Sequence, residues 1–322
     1  MSDLLHDDRG APIYVDHICW LTAEDDMYTL DWPTPDDYFK VLPHIYMEDH
    51  YYGRVGTLTR SLLADGRRVT AGDLALRVLE RMSTKPHWDW LILAQTCPER
   101  HALNAPLARM LETATWQVEH PLGITHMGAL AGTEAIQVAL WSLFPNERAV
   151  IVLVEQRILH DDGPVGYSQQ SESHGDLADM AVALEAGLGQ GALQIHYAGK
   201  RIIRSDEPAT FASEVLDIIR DLMDDHAAEH VILQSRLGWR ISGSSVWNIH
   251  PSKSVCVPRT DYQSGDVWIQ LADKLEQGGI KPDDRVMLIS WDDDRMLSAC
   301  CVHVMHMPML SRLTMNQEIK TS

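Results

Sequence analysis

The chain has 322 residues, 45% of them apolar, which is ordinary for a soluble globular protein and too long for one small core. It carries 46 acidic against 27 basic side chains, a formal net charge of −19. That balance argues against nucleic acid or an anionic membrane as the main partner, since both would repel it.

Residues 1–10 (MSDLLHDDRG) read as a lead-in without regular structure, acidic and lacking the apolar core of a signal peptide. IYVDHICWL (13–21) reads as a first strand, and the Asp-, Pro- and Tyr-rich stretch 22–57 as mostly loop. Helical spacing predicts helices over 55–64 and over 71–82, the second with Thr70 as N-cap. WDWLILAQ (88–95) reads as a buried strand, and NAPLARMLETA (104–114) as a helix with Pro106 in its first turn. The stretch 116–143 begins strand-like, narrows to the small residues of Met127-Gly128-Ala129-Leu130-Ala131-Gly132, and continues with apolar residues at helical spacing from 135 to 143. AVIVLVEQ (149–156) is almost wholly apolar, as a strand buried on both faces would be. Residues 160–175 read as loop and DMAVALEAG (179–187) as a strand.

Beyond Gly191 the order begins again. Strands are predicted over 193–203, 230–235 and 253–259, and helices over 208–227 and 267–279, the latter ended by its glycines. Residues 237–247 read as a short helix or loop. Two more strands, 284–290 and 296–306, flank the turn Trp291-Asp292-Asp293-Asp294-Arg295. Both halves read roughly β-α-β-α-β-α-β-β. This predicts an α/β protein of two similarly built halves, 1–190 and 191–322, repeated in pattern and not in residue identity.

A strand that turns directly into a buried helix places backbone N–H groups where negative charge is welcome. A nucleophile would be expected there, and the residue at the turn is Ala129. The sequence contains no Gly-rich phosphate loop, no Ser-His-Asp order and no HExxH, so no cofactor and no metal are expected. The cysteines are Cys19, Cys97, Cys256, Cys300 and Cys301. None forms a CxxC pair, which fits neither a zinc site nor a disulfide framework and suits a reducing cytoplasm. No apolar run approaches the roughly 20 residues of a membrane span.

Together these landmarks resemble the thiolase-like superfamily, in particular the type III ketoacyl-ACP synthases and chalcone-synthase-like condensing enzymes. WDWLILAQTCPE (88–99) resembles that family's strand and turn, GALAGTEAIQVAL (128–140) its nucleophile stretch, and AVIVLVEQ the next strand, ending at Glu155. GDLADMAVALEAG (175–187) and GGIKPDDRVMLISWDDDRMLSACCV (278–302) resemble the segments that close its two halves. The resemblance covers roughly residues 70–306, and it implies two βαβαβαββ halves packed as a layered αβαβα core. It also implies a dimer formed through an edge strand within 116–127, self-paired or with a ketosynthase-like subunit.

The departures bear on function. The family attacks an acyl thioester with a cysteine, where this chain has Ala129. Its histidine should follow the strand HVIL, where Gln234 and Ser235 stand, and its asparagine falls near Asp261, Tyr262 and Gln263. The Gly-rich turn that shapes its oxyanion region is here Trp291 to Asp294.

The resemblance therefore implies a catalytically degenerate ketoacyl synthase III-like protein. It would be a partner subunit that shapes the acyl pocket of an active condensing enzyme in secondary-metabolite biosynthesis. The alternative is an acyltransferase acting on a CoA or carrier-protein thioester through a non-Cys residue such as His126, or with Ala129 an engineered replacement of Cys. A ligand-binding scaffold is a third reading. An acidic surface suits a basic partner protein better than an acidic carrier.

Each candidate residue has a plainer role beside the chemical one. His126 is a base or nucleophile, or a pocket histidine bonded to backbone. Gln234 and Ser235 are oxyanion donors, or a polar lining. His250 reaches the site, or is solvated in a loop. Cys97 reads as inert, and Cys300 and Cys301 as small core hydrophobes. Asp292 to Asp294 could ligate a hard cation, though a solvated turn fits better. Glu134 contacts a partner or complements the helix dipole.

Overall fold

The computed structural model describes residues 12–23, 28–31, 59–64, 67–82, 87–96, 105–113, 116–125, 127–156, 159–160, 163–164, 176–177, 179–205, 207–242, 254–256, 260–292 and 295–314. The first half contains β1 (Ile13–Thr22), α1 (Ala71–Met82), β2 (His87–Ala94), α2 (Pro106–Thr113), β3 (Gln117–Ile124), α3 (Ala131–Ser142), β4 (Arg148–Glu155) and β5 (Met180–Leu188). The second contains β6 (Leu193–Ile202), α4 (Pro208–Asp225), β7 (His230–Leu233), α5 (Ser235–Ser242), β8 (Ser254–Cys256), α6 (Asp266–Glu276), β9 (Arg285–Trp291) and β10 (Met296–Val304), followed by β11 (Met309–Thr314).

The strand order of the first half is β3-β2-β4-β5-β1, and that of the second is β8-β7-β9-β10-β6. Each strand of one half thus has a counterpart at the same place in the other. The halves are hydrogen-bonded where Ile13–Val15 of β1 runs antiparallel to β6. The rest of that edge of β1 is taken by β11, parallel, from His17↔Met309 to Thr22↔Thr314.

Three apolar cores separate the layers, and the period-2 alternation of the strands decides which residue enters which. In β4, Ala149, Ile151 and Leu153 face a central core shared by α3, α6 and strands of both halves. Val150, Val152 and Val154 face an outer core under α1. In β9, Val286 and Leu288 point to the centre, while Met287 and Ile289 point to a third core under α4 and α5. The layers are therefore helix, sheet, helix, sheet, helix, as expected. Cys300 and Cys301, being adjacent, fall on opposite faces of β10 and are both buried. Burial pushes both thiols up, which suits core residues and not nucleophiles.

Helix α3 is buried on nearly all sides through Ala131, Gly132, Thr133, Ala135, Ile136, Gln137 and Ala139, as a central-layer helix must be. Helix α1 starts at a reciprocal cap: Asp73 N–H donates to Thr70 Oγ1 at 3.1 Å, and Thr70 N–H donates to Asp73 Oδ2 at 2.8 Å.

The helix expected over 55–64 is corrected. Residues 59–64 are a strand that pairs antiparallel with 28–31 and, through Ala64↔Arg67, with 67–68. Pairing with strands on both sides outranks a few apolar residues at helical spacing. The strand 28–31 within the expected loop, and β11, were also not anticipated. The expected lead-in at 1–10 lies outside the described residues. Among the described residues no helix is long and apolar enough to cross a membrane.

Candidate functional site

The site is built where two equivalent turns meet at the carboxyl ends of the parallel strands, the usual place for ligands in α/β sheets. In the first half, Gly128 adopts φ +56°, and Gly128–Leu130 forms one tight turn that runs straight into α3. In the second half, Gln263 adopts φ +50°, and Gln263–Gly265 leads in the same way into α6. The two turns touch each other. Glycine is needed at 128, because a side chain there would sit in left-handed backbone and would place a Cβ 3.1 Å from that of Asp292. Gly132, in the first turn of α3, is equally constrained: any Cβ would run into the carbonyl oxygen of Ser264.

Ala129 lies on the first of these turns, 8% exposed, with a methyl group as its whole chemistry. Tyr262 precedes the second turn and packs against the central core, where burial pushes its hydroxyl up and keeps it protonated. The seam thus unites Ala129 and Tyr262, two residues 133 positions apart in the chain.

Below the turns lie buried carboxyl groups. Glu155, at the end of β4, accepts from the Thr96 N–H and from Thr96 Oγ1, both at 2.7 Å, and from the Ser264 hydroxyl. One carboxyl therefore joins the end of β2, the end of β4 and the turn of the other half. Burial raises its pKa to about 7; the bonds from Ser264 and Thr96 oppose this, and the charge of Asp261 adds to it. Asp266, the first residue of α6, accepts from the Ser235 N–H and lies 2.7 Å from Ser235 Oγ. Its pKa is also raised, by burial and then by Asp261, so it is held largely uncharged. Asp261 accepts from the Gln263 N–H at 2.8 Å, which holds the left-handed residue in place.

The second-half candidates serve as braces. Gln234 Oε1 accepts from the Trp291 N–H at 2.9 Å, tying the end of β7 to the end of β9. Ser235 is fully buried, its hydroxyl 2.7 Å from the carbonyl of Thr260 as well as from Asp266. Neither presents its bonded atoms to an open surface. Asp292 closes the β9–β10 turn by accepting from the Met296 N–H at 3.0 Å. Glu134 is ion-paired with Lys200 of β6 at 2.6 Å, across the central layer. His126, His250, Cys97, Asp293 and Asp294 lie outside the described residues.

Asp266, Ser264 and Thr96 were not singled out in the sequence. The available signal was an acid in the first turn of an otherwise apolar helix, which ordinarily reads as dipole complement. Only the folding of α6 against the start of α5 makes it a buried partner of Ser235.

The arrangement is a helix N-terminus facing a second, polar turn, with the buried carboxyls of Glu155 and Asp266 beneath, both raised in pKa. Ala129, on the first turn, supplies no nucleophile.

No family model and no curated protein matches this sequence. Solved structures do match. ChlB3, described as an acyltransferase, is 12% identical, with a TM-score of 0.60, covering 92% of this chain and 98% of that one. A 3-oxoacyl-(acyl-carrier-protein) synthase III is 12% identical with a TM-score of 0.59, covering 91% and 99%. A variant of OleA from Xanthomonas campestris is likewise 12% identical at 0.59, covering 91% and 98%. With its two equivalent strand orders and its five layers, this chain has the thiolase-like fold of those structures.

Proposed function

We propose that this chain is a catalytically degenerate relative of the ketoacyl synthase III-like enzymes. It would act as the partner subunit that shapes the acyl pocket of an active condensing enzyme in secondary-metabolite biosynthesis. The observation that carries this reading is Ala129 on the turn at the head of α3, where covalent thioester chemistry would need a thiolate.

Two features of the surface support a partnered state, with a second copy or a ketosynthase-like subunit. Strand β3 is the outer edge of its half-sheet, with alternate residues exposed along its length. Trp141 and Phe144, at the end of α3 and just past it, are 67% and 69% exposed, an apolar cost that a partner would relieve. Pro121 lies within β3, so the outward side of this edge has one N–H fewer to offer. Side-chain packing would therefore contribute beside strand pairing.

The test is intact-mass analysis after incubation with acyl-CoA, alone and with a Cys-bearing ketosynthase homologue encoded nearby. The expected result is no adduct on this chain, acylation of the homologue, and co-purification of the two. A covalent acyl adduct on this polypeptide would overturn the reading.

A second reading, direct acyl transfer by this chain itself, is favoured by the acyltransferase description of ChlB3. Positioning two substrates can supply much of a rate without a nucleophile. Turnover of acyl-CoA by the pure protein, lost in His126→Ala, would favour it over the first. An acyl thioester on CoA or carrier protein is the substrate in either case, and a cytoplasmic setting suits both.

A further inference from the structure

At the opposite end of β2 from the seam, its first residues meet the start of β3. Strand β2 is 8 residues long, so this corner is roughly 25 Å from Thr96. His87 and Asp89 lie on β2, and Glu119 stands opposite Asp89 on β3, between the pairs Trp88↔Val118 and Trp90↔His120. His87 Nε2 is 3.5 Å from Asp89 Oδ1 and 3.5 Å from Glu119 Oε1. All three donor atoms are within 4.8 Å of one another.

We propose that His87, Asp89 and Glu119 form a binding site for a divalent transition-metal ion of the zinc type. At 3.5 Å the His87 nitrogen lies beyond the roughly 2.7–2.9 Å of a close charge-assisted hydrogen bond to either carboxylate, which leaves room for a cation among the three donors. Donors bound tetrahedrally at about 2.0–2.1 Å lie roughly 3.3 Å apart, near the two spacings found here.

One imidazole with two carboxylates is a ligand set that zinc, cobalt and nickel accept, whereas magnesium and calcium prefer oxygen alone. Asp89 is already oriented: its Oδ2 accepts from the Arg148 N–H at 2.7 Å, which leaves Oδ1 toward His87. Such outer bonds commonly fix metal ligands. The side chains of His87, Asp89 and Glu119 are 41%, 25% and 60% exposed, so remaining coordination positions are open to water and the ion can exchange. Bound there, it would fasten the edge strand β3 to β2.

The experiment is calorimetric titration of the full chain with zinc chloride, with the absorption spectrum of the cobalt-substituted protein as a second readout. The expected result is one zinc per chain at micromolar affinity, weakened roughly tenfold or more in His87→Ala and in Glu119→Gln. Both side chains are surface-exposed, so the metal-free variants should melt with the parent. Zinc should raise the melting temperature of the parent alone. Absence of stoichiometric binding by the parent would overturn the proposal. So would binding equal in parent and both variants, because one of the other histidines among the 16 in the chain would then be the ligand.

Discussion

The turns at 128–130 and 263–265 follow one backbone path and hold opposite chemistry. The first is Gly-Ala-Leu, apolar, entered through a glycine that adopts φ +56° at little cost. The second is Gln-Ser-Gly, entered through a glutamine at φ +50° that Asp261 must hold in place. Around the first lie small residues with no room for a Cβ; beneath both lie the buried carboxyls of Glu155 and Asp266. Equal backbones thus need not share a task. One turn carries only apolar side chains, the other polar groups that join the halves.

Four measurements would break or sharpen this contrast, and the largest effect is expected at the contact between the turns. Gly132→Ala pushes a methyl group into the Ser264 carbonyl, with backbone on both sides and little freedom to yield. A loss of roughly 3 kcal/mol or more, read by denaturant unfolding, is expected. An unchanged midpoint would mean that the halves are not in such close contact.

The second concerns pH. Glu155 has a raised pKa, about 7 when folded against an ordinary 4.5. Between those values the unfolded chain has lost the proton that the folded chain keeps, so stability is fully present below pH 4.5 and falls as pH rises to about 7. The loss is on the order of 3 kcal/mol. Glu155→Gln cannot ionise and should remove that share of the slope, which thermal melts of both proteins from pH 5 to 8 would reveal. Parallel pH profiles would show that Glu155 is ionised in the fold.

The third and fourth compare the left-handed positions directly. Gly128→Ala should cost about 1–2 kcal/mol from backbone conformation, with crowding by Asp292 added. Gln263→Gly should be the mildest, a gain of at most about 1 kcal/mol, since relief of the same conformation is offset by a more flexible unfolded chain. A loss at 263 as large as that at 128 would mean that the glutamine side chain, and not its backbone, holds the turn.

Much of the architecture was legible because the strands are short apolar runs and α3 is apolar nearly all round. Burial in a five-layer protein leaves that trace in any sequence. The segment 59–64 was misread because three apolar residues fit a helix as well as a strand, and its pairing involves a distant strand at 28–31. Ala129 was legible as a position, since a small-residue passage before a helix fixes the turn whatever stands in it. Asp266 and Ser264 were not, because their partners are remote in the chain, Ser235 lying 31 residues from Asp266 and Glu155 lying 109 residues from Ser264. No local window contains that information. Gln234 and Ser235 were legible as polar residues after a strand, while their work as braces depends on Trp291 and Asp266.

The pairing of β1 with β11 has a consequence for how the molecule is made. His17 Nε2 is 2.9 Å from Ser311 Oγ, across 294 residues of sequence. During synthesis β1 leaves the ribosome well before β11 and must wait, part of one flank uncovered, until residues 309–314 have been translated. A nascent chain of this kind should depend on chaperones, and shortening it before residue 309 should yield aggregates instead of a smaller folded protein.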